Sequence, residues 1–181
     1  MNELPKLKVQ IIDEEVFRGR GCRIPQYHSS GASGLDLCAY LAGTLYLKSG
    51  ERTLIPTGIK LEIPLGYEGQ IRSRSGAALC GLVVCNAPGT IDSDYRGEVH
   101  VYVQNISRRE FQDEPDTITI KPGDRIAQLV ITPVARVAIS VTRRLPPTPR
   151  GEQGFGSTGG FRYGEVGLDD DDGGRPESDN P

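Results

Sequence analysis

The stretch RTLIPTGIKLEIPLGYEGQIRSR, residues 52–74, contains two runs rich in β-branched and apolar residues, separated by the turn sequence PLGYEG. Runs of this length, bounded by glycine and proline, predict β-strands. The pattern recurs along the chain in KLKVQII, LDLCAY, TLYLK, LVVCNA, EVHVYVQNI, DTITI, RIAQLVITPV and VAISVT, with KSGE and KPGD as further turns. Only SGAALCG, residues 75–81, has the composition of a short helix. We therefore expect an all-β domain, built as a sandwich, a barrel or a jelly roll.

The totals fit one such domain with tails. The chain has 181 residues, 23 glycines, 13 prolines and a net charge of −3. Residues 165–181 hold seven acidic residues and one arginine, which leaves a net charge of about +3 on residues 1–164. A weakly basic body suits a small anionic ligand and does not predict nucleic-acid binding. No apolar run is long enough for a membrane span, and MNELPKLKVQ lacks a signal-peptide core, so we expect a soluble, cytoplasmic protein without a membrane partner.

The cysteines and histidines limit the possible chemistry. The four cysteines show no CxxC pair, which disfavours a zinc site and favours free thiols in a reducing compartment. With only two histidines, His28 and His100, a Ser-His-Asp or Cys-His nucleophile has few possible members. We therefore expect any general base to be a carboxylate.

The segment RGEQGFGSTGG, residues 150–160, follows the proline-rich run RRLPPTPR. Its glycines allow backbone N–H groups to approach an anion, and Arg150, Ser157 and Thr158 add phosphate donors. Phe155 supplies a flat face on which a base can stack. Together these features predict a flap over a nucleotide. From composition alone, a flexible glycine-rich tail is the alternative.

The segment GTIDSDYRGEVHVYVQN, residues 89–105, joins an apolar run to an alternating strand through a turn-rich stretch at residues 92–97. This pattern predicts a β-hairpin. Asp92 and Asp94 lie two residues apart and could share one face of it, and a carboxylate beside Tyr95 could hold a water and a sugar. The alternative is an ordinary polar turn with an Asp–Arg pair.

Each of three further polar sites leaves two interpretations open. In QIRSRSGAAL, residues 70–79, Arg74 and the hydroxyl and amides at Ser75 could bind an anion, or Ser75 could be a plain helix N-cap. Asp36, flanked by leucines, is either hydrogen-bonded structurally or near a metal. Gln128 could reach a ligand or cap neighbouring backbone.

In this order, SGLDLCA, RSRSGAAL, GTIDSDYRG, PGDRIAQL and RGEQGFGSTG resemble the five motifs of the trimeric dUTP diphosphatase (dUTPase) family, and they span residues 33–160. The third and fifth motifs are the most specific. The second departs from the family pattern, since Ser73 replaces a proline and Ala77 a leucine, which affects local packing more than the anion donors. The resemblance implies a jelly-roll-like, distorted β-barrel subunit that forms a homotrimer with three sites, each drawing on more than one subunit.

The resemblance also implies a division of the chain. Residues 1–149 would form the β-barrel domain, and residues 150–160 a flexible arm that usually closes over a neighbouring subunit's site. Residues 161–181 would be an acidic tail, which its composition predicts to be disordered.

The implied reaction is dUTP plus water giving dUMP and diphosphate, which limits uracil incorporation into DNA and supplies dUMP for dTMP synthesis. Asp92 matches the family's general base, and Tyr95 the residue that leaves no room for a 2′-hydroxyl. One Mg²⁺ would be chelated by the triphosphate, with Asp36 holding a metal-bound water. The other substrate-binding residues implied are Arg74, Ser75, Gly76, Asn86, Gly89, Thr90, Ile91, His100, Gln128, Arg150, Phe155, Gly156, Ser157 and Thr158.

Two alternatives differ from this interpretation. A dCTP deaminase shares the expected fold, but that family has a tryptophan-containing motif where this chain has DSDYRG, and this chain has no tryptophan. The deaminase also lacks the RGxxGFGSTG arm. A non-catalytic β-domain that binds a nucleotide or a protein would not need Asp92 together with Arg150 and Phe155.

Overall fold

A computed structural model describes residues 4–107 and 116–152 and divides the chain into two units, Met1–Val137 and Ala138–Pro181. The first unit contains all the described strands and helices. They are β1 (Lys8–Ile11), α1 (Glu14–Gly19), β2 (Leu35–Cys38), β3 (Leu45–Lys48), β4 (Arg52–Glu62), β5 (Tyr67–Arg72), α2 (Ser75–Leu79), β6 (Leu82–Val84), β7 (Gly89–Ile91), β8 (Glu98–Asn105), β9 (Thr117–Ile120) and β10 (Arg125–Pro133).

The strands form two four-stranded antiparallel sheets and one two-stranded ribbon. The sheets have the orders β1-β4-β8-β6 and β2-β10-β5-β7, and the ribbon pairs β3 with β9. Buried residues of both sheets, such as Leu37, Ile55, Val101 and Leu129, belong to a single hydrophobic cluster. Two antiparallel sheets around one core are the arrangement of a jelly-roll-like β-domain. The expected all-β fold class is therefore confirmed.

Strand β8 shows how the alternating sequence builds this core. In EVHVYVQN the side chains of Val99, Val101, Val103 and Asn105 point inward and are at most 1% exposed. The residues between them are less buried, as the two-residue period of a strand requires. One of these intervening residues, His100, consequently lies on the accessible side.

Strand β4 carries a bulge opposite the start of β8. Pro56 pairs with His100 and Lys60 with Glu98, so β4 holds two more residues than β8 across this interval. Gly58 in the bulge is buried and has a φ of 71°. A Cβ atom there would lie 2.8 Å from the Tyr40 ring, so both the conformation and the space require glycine.

Asn105 joins the end of β8 to the start of β9. Its fully buried side chain donates to the carbonyl oxygens of Leu47 at 2.8 Å and Asp116 at 2.9 Å. Its Oδ1 accepts from the Ser107 backbone N–H at 2.9 Å. Because every polar atom of this amide has a partner, its burial is compatible with a stable core.

The helix α1, residues Glu14–Gly19, was missed by the sequence prediction of a single short helix. Asp13 caps it by accepting from the Val16 N–H at 3.0 Å, and two acidic residues occupy its first turn. Phe17 points into the core and is 2% exposed. These capping and charge preferences stabilise a helix of only six residues that also buries an aromatic ring.

The prediction of a β-hairpin around residues 92–97 is wrong. Strand β7 pairs with β5, whereas β8 pairs with β4 and β6 in the other sheet. The turn therefore crosses from one sheet to the other. The run VAISVT, residues 137–142, was also expected to be a strand, but it forms none, and Val137, Ile139 and Val141 are strongly exposed.

The expected free thiols are present, since all four cysteines are unpaired. Burial raises the pKa of the Cys22 thiol to about 11 and raises the pKa of Cys85 as well. These two thiols are neutral at pH 7 and are poor nucleophiles. Over the described ranges, neither helix is long and apolar enough to cross a membrane.

Candidate active site

The crossing turn between the two sheets forms one wall of a slot of about 220 Å³. The slot receives residues from both sheets, because β7 and β5 contribute one side and β8 the other. Its lining consists of Ile71, Asn86, Gly89, Thr90, Ile91, Asp92, Tyr95, Glu98, Val99 and His100. Seven of the predicted site residues, which are Asn86, Gly89, Thr90, Ile91, Asp92, Tyr95 and His100, are thereby brought together.

Tyr95 is held in the slot by backbone groups. Its hydroxyl donates to the Glu98 carbonyl oxygen at 3.0 Å, and its N–H donates to the Asp92 carbonyl oxygen at 3.1 Å. The ring lies directly over Gly97, where any Cβ atom would collide with the phenol. Only glycine at position 97 allows this close approach. The ring is 47% exposed and so presents a face to a ligand.

Asp92 lies where the slot meets a second cavity. This cavity, of about 250 Å³, is also lined by Glu68, Asp94 and Arg136. The Asp92 side chain is exposed, and among the residues that the structure describes it forms no hydrogen bond or ion pair. Its carboxylate oxygens can therefore accept hydrogen bonds from a water in the slot.

Asp36 is the centre of a cluster of two arginines and a histidine. Arg74 approaches it through Nε at 2.8 Å from Oδ1, Arg125 through a terminal nitrogen at 3.1 Å from Oδ2, and His28 through Nε2 at 3.0 Å from Oδ2. Arg74 also donates to the Arg125 carbonyl oxygen at 3.1 Å. The structure shows Asp36 hydrogen-bonded, and its place near a metal stays a prediction. The two guanidinium groups exceed its single negative charge, which favours a nearby anion.

The loop before α2 is fixed by Gln128. Its Nε2 donates to the Ser73 carbonyl oxygen at 3.0 Å. This contact matches the expectation that Gln128 could cap neighbouring backbone. Arg74 is the N-cap residue of α2, and the helix begins at Ser75. Ser75 and Gly76 are exposed and follow directly on the Asp36–Arg74 pair. An exposed hydroxyl and amide beside a guanidinium can bind phosphate oxygens.

The slot and the Asp36 cluster occupy different parts of the described surface. Asp36, His28 and Arg125 line a cavity of about 430 Å³, and this cavity shares no lining residue with the slot. Within a single chain, Asp36 and the slot residues predicted to hold the base and sugar thus line separate cavities.

The arm is only partly described. Arg150 lies in the unit Ala138–Pro181 and is exposed, at a turn in which the Gly151 N–H donates to the Thr148 carbonyl oxygen at 3.0 Å. The predicted residues Phe155, Gly156, Ser157 and Thr158 lie outside the described residues, as does the tail at 161–181. The division into 1–149, 150–160 and 161–181 stays a prediction.

The described residues contain no group of three or more His, Cys, Asp or Glu side chains that could hold a metal ion. A magnesium ion bound mainly by the phosphates of a nucleotide needs few protein ligands, so the Mg²⁺ that the resemblance implies stays a prediction. In that prediction Asp36 would lie one water away from the metal. Its Oδ2 is crowded by Arg125 and His28, whereas Oδ1 has one close partner and a lone pair to spare.

Sequence reasoning missed three residues of these sites: His28, Glu98 and Arg125. Arg125 lies inside the motif PGDRIAQL and was therefore visible, but its contact with Asp36 joins residues 89 positions apart. Glu98 directly follows the turn at 92–97. Its carboxylate accepts from the Gly58 N–H of β4, and no local sequence pattern reveals that contact. His28 lies in a loop without any periodic pattern, so it gave no signal.

Comparison with known proteins shows the family of the chain. The dUTPase family model matches residues 21–159. Over 157 residues the chain is 50% identical to the deoxyuridine 5′-triphosphate nucleotidohydrolase of Bdellovibrio bacteriovorus. The aligned region covers 86% of this chain and 99% of that protein.

Two solved structures from staphylococcal phages share the fold. The dUTPase of Staphylococcus bacteriophage 80alpha with dUPNHPP has a TM-score of 0.71 and 27% identity over 85% of this chain and 98% of that chain. A mutant dUTPase of phage phi11 of S. aureus, described for its coordination of a structural Mg(II) ion, has a TM-score of 0.63 and 25% identity over 77% and 97%. The chain belongs to the dUTPase family of nucleotide hydrolases.

Proposed function

We propose that the chain hydrolyses dUTP to dUMP and diphosphate, by attack of a water on the α-phosphorus. The observation that carries this proposal is the slot, which joins Asp92, Tyr95 and the backbone of Gly89–Ile91 in one cavity. The names of the relatives, which are dUTP nucleotidohydrolases and dUTPases, support the same substrate. The reaction would limit uracil incorporation into DNA and supply dUMP for dTMP synthesis, in the reducing cytoplasm that the unpaired cysteines suit.

Asp92 acts as the general base in this proposal. Its exposed carboxylate, without a cation or donor among the described residues, accepts a proton from the attacking water. Asp92 lines the slot, so that water would lie beside a nucleotide bound there.

The slot reads the base and the sugar. Asn86 and the backbone of Gly89, Thr90 and Ile91 offer donors and acceptors to the uracil edge, while His100 closes the β8 side. Cytosine would leave some of these groups unpaired, which disfavours it strongly. Tyr95 packs under the deoxyribose and leaves no space for a 2′-hydroxyl.

We expect Tyr95→Ala to lower the ratio of dUTP to UTP hydrolysis, chiefly by improving the use of UTP, because the ring that closes the space beside the 2′ carbon is gone. Competition kinetics with both nucleotides measures this ratio. Tyr46→Ala removes another exposed tyrosine, from β3 and outside the slot, and serves as the control. An unchanged ratio in the Tyr95 variant would remove this residue from sugar discrimination.

The triphosphate binds through cationic and hydroxyl donors. Arg74, held by Asp36, contacts the phosphates together with Ser75 and Gly76, and Gln128 keeps their loop in place. Arg150, Phe155, Gly156, Ser157 and Thr158 of the arm complete the closure. A Mg²⁺ held by the phosphates would supply charge neutralisation when bound, and Asp36 would hold it through a water.

The active unit in this proposal is a homotrimer. In a single chain Asp36 and the slot residues line separate cavities, which supports a site that is completed by another copy. Threefold closure gives each slot a neighbour's phosphate-binding groups and a neighbour's arm.

Mixed trimers test this assembly. We expect light scattering to give a trimer, and an Asp92→Asn chain mixed with a chain truncated after Pro149 to recover activity, although each alone is nearly inactive. In a mixed trimer the intact arm of one chain can close over the intact Asp92 of another. Verified mixed trimers without any recovery would mean that each arm serves its own subunit.

A direct assay tests the function itself. Diphosphate and ammonia release are measured with dUTP, UTP and dCTP, with Mg²⁺ and after its removal by a chelator. We expect diphosphate to be released from dUTP alone among the three nucleotides, and only when Mg²⁺ is present. Ammonia from dCTP would instead indicate a deaminase, and no product from any nucleotide would indicate a binding domain.

A further inference from the structure

Glu98 connects the slot to the bulge of β4 through two different groups. Its carboxylate Oε1 accepts from the Gly58 backbone N–H at 2.8 Å. Its backbone carbonyl oxygen accepts from the Tyr95 hydroxyl at 3.0 Å and lies 3.1 Å from His100 Nδ1. The same residue thus touches the bulge on one side and two slot residues on the other.

Side-chain hydrogen bonds hold β8 against β4 at the bulge, where the backbone pairing is interrupted. Between Pro56 and Lys60 the regular pairing of β4 with β8 is interrupted. In this interval the Thr57 hydroxyl donates to the Val99 carbonyl oxygen at 2.6 Å, next to the Glu98–Gly58 bond. Two side-chain bonds therefore replace the ladder and set the position of the first residues of β8.

The Gly58 end of this connection is rigid. A Cβ atom at Gly58 would lie 2.8 Å from the Tyr40 ring and 3.0 Å from Phe17, so the backbone is packed closely there. The Gly58 carbonyl oxygen also accepts from the Ile12 N–H at 3.0 Å. The Tyr95 end is weaker, because the ring is 47% exposed and is attached through the turn at 92–97.

We propose that Glu98 is a positioning residue for sugar discrimination: its carboxylate fixes its own backbone carbonyl to the rigid bulge, and that carbonyl holds Tyr95 against the deoxyribose. The inference rests on the proposed function of the slot and extends it to a residue that need not touch the nucleotide through its side chain. Loss of the carboxylate releases the carbonyl and with it the ring, which widens the space beside the 2′ carbon. A displacement of the order of 1 Å is large enough to change selectivity.

Three variants test the proposal. Glu98→Ala removes the acceptor, whereas Glu98→Gln keeps an oxygen that can accept from Gly58. Glu51→Ala is the matched control, because its carboxylate also accepts a backbone N–H, from Lys48 at 2.7 Å, in a turn outside the slot. We expect Glu98→Ala to lower the dUTP-to-UTP ratio of kcat/KM by at least about fivefold, the scale of one lost hydrogen bond, and the other two variants to keep the parental ratio.

The affinity ratio of dUMP to UMP, measured by calorimetry on the same variants, gives a readout without turnover and should fall in the same way. If Glu98→Ala does not fold, Thr57→Val replaces it, since loss of the neighbouring bond to Val99 should shift both ratios in the same direction. Parental ratios in the folded variant, or an equal fall in Glu98→Gln, would overturn the inference. A parent chain that does not hydrolyse dUTP would overturn the proposed function, and the inference would then be decided by the affinity ratio.

Discussion

Asp92→Asn is expected to lower the turnover of dUTP by at least about 100-fold, the usual scale for the loss of a general base. Asparagine keeps the shape of the side chain but cannot accept the proton of the attacking water. The substrate should still bind, because the slot, Tyr95 and the phosphate-binding groups are unchanged. Single-turnover kinetics together with binding of a non-hydrolysable dUTP analogue measure the two effects separately.

Asp94→Asn is the matched control for this prediction. Asp94 follows Asp92 by two residues, is exposed, and lines the second cavity but not the slot. Its substitution should leave most of the turnover intact. Turnover near the parental rate in Asp92→Asn, or an equal loss in both variants, would show that Asp92 is not the base.

A chain that ends at Pro149 is expected to fold and to lose most of its turnover, whereas a chain that ends at Gly164 should keep it. The described core lies within Met1–Val137 and does not need the arm. The arm contributes phosphate donors and a stacking ring, and its closure excludes bulk water. The residues beyond Gly164 are acidic and poor in apolar groups, so they cannot compensate the entropy of ordering by burial.

Limited proteolysis gives an independent measurement of the same arm. Cleavage within residues 150–160 should be rapid without ligand and slow with Mg²⁺ and a saturating dUTP analogue, because binding orders the segment. Cleavage beyond Gly164 should be equal in both states and serves as the internal control. Equal cleavage of the arm in both states would contradict its role as a flap.

The all-β fold could be predicted because its signals are local. Short β-branched runs and glycine- or proline-containing turns define most of the strands, and β8 shows the two-residue alternation directly. The pairing of those strands is not local. The alternating segment at 89–105 fits a hairpin equally well, and only the distant strands β5 and β4 decide that its two parts belong to different sheets.

The candidate site also combines residues that a local motif reveals with residues that only the fold brings together. Apart from Ile71, the residues of the slot lie within one short segment, 86–100, and a motif could identify them. The Asp36 cluster collects Arg74, Arg125 and His28 from three other parts of the chain, so the sequence left open whether Asp36 is structural or near a metal. Helix α1 had a visible N-cap in Asp13 and acidic residues after it, but six residues are too few for a periodic pattern.

The buried amide of Asn105 has a consequence for the evolution of chain length in this fold. It binds both Ser107 and Asp116, so the segment between them leaves and returns at a single side chain. The entropy of closing such a segment grows only with the logarithm of its length, by about 0.6 kcal/mol for each doubling. Insertions between Ser107 and Asp116 can therefore accumulate while the hydrogen bonds of Asn105 that join β8 to β9 stay the same.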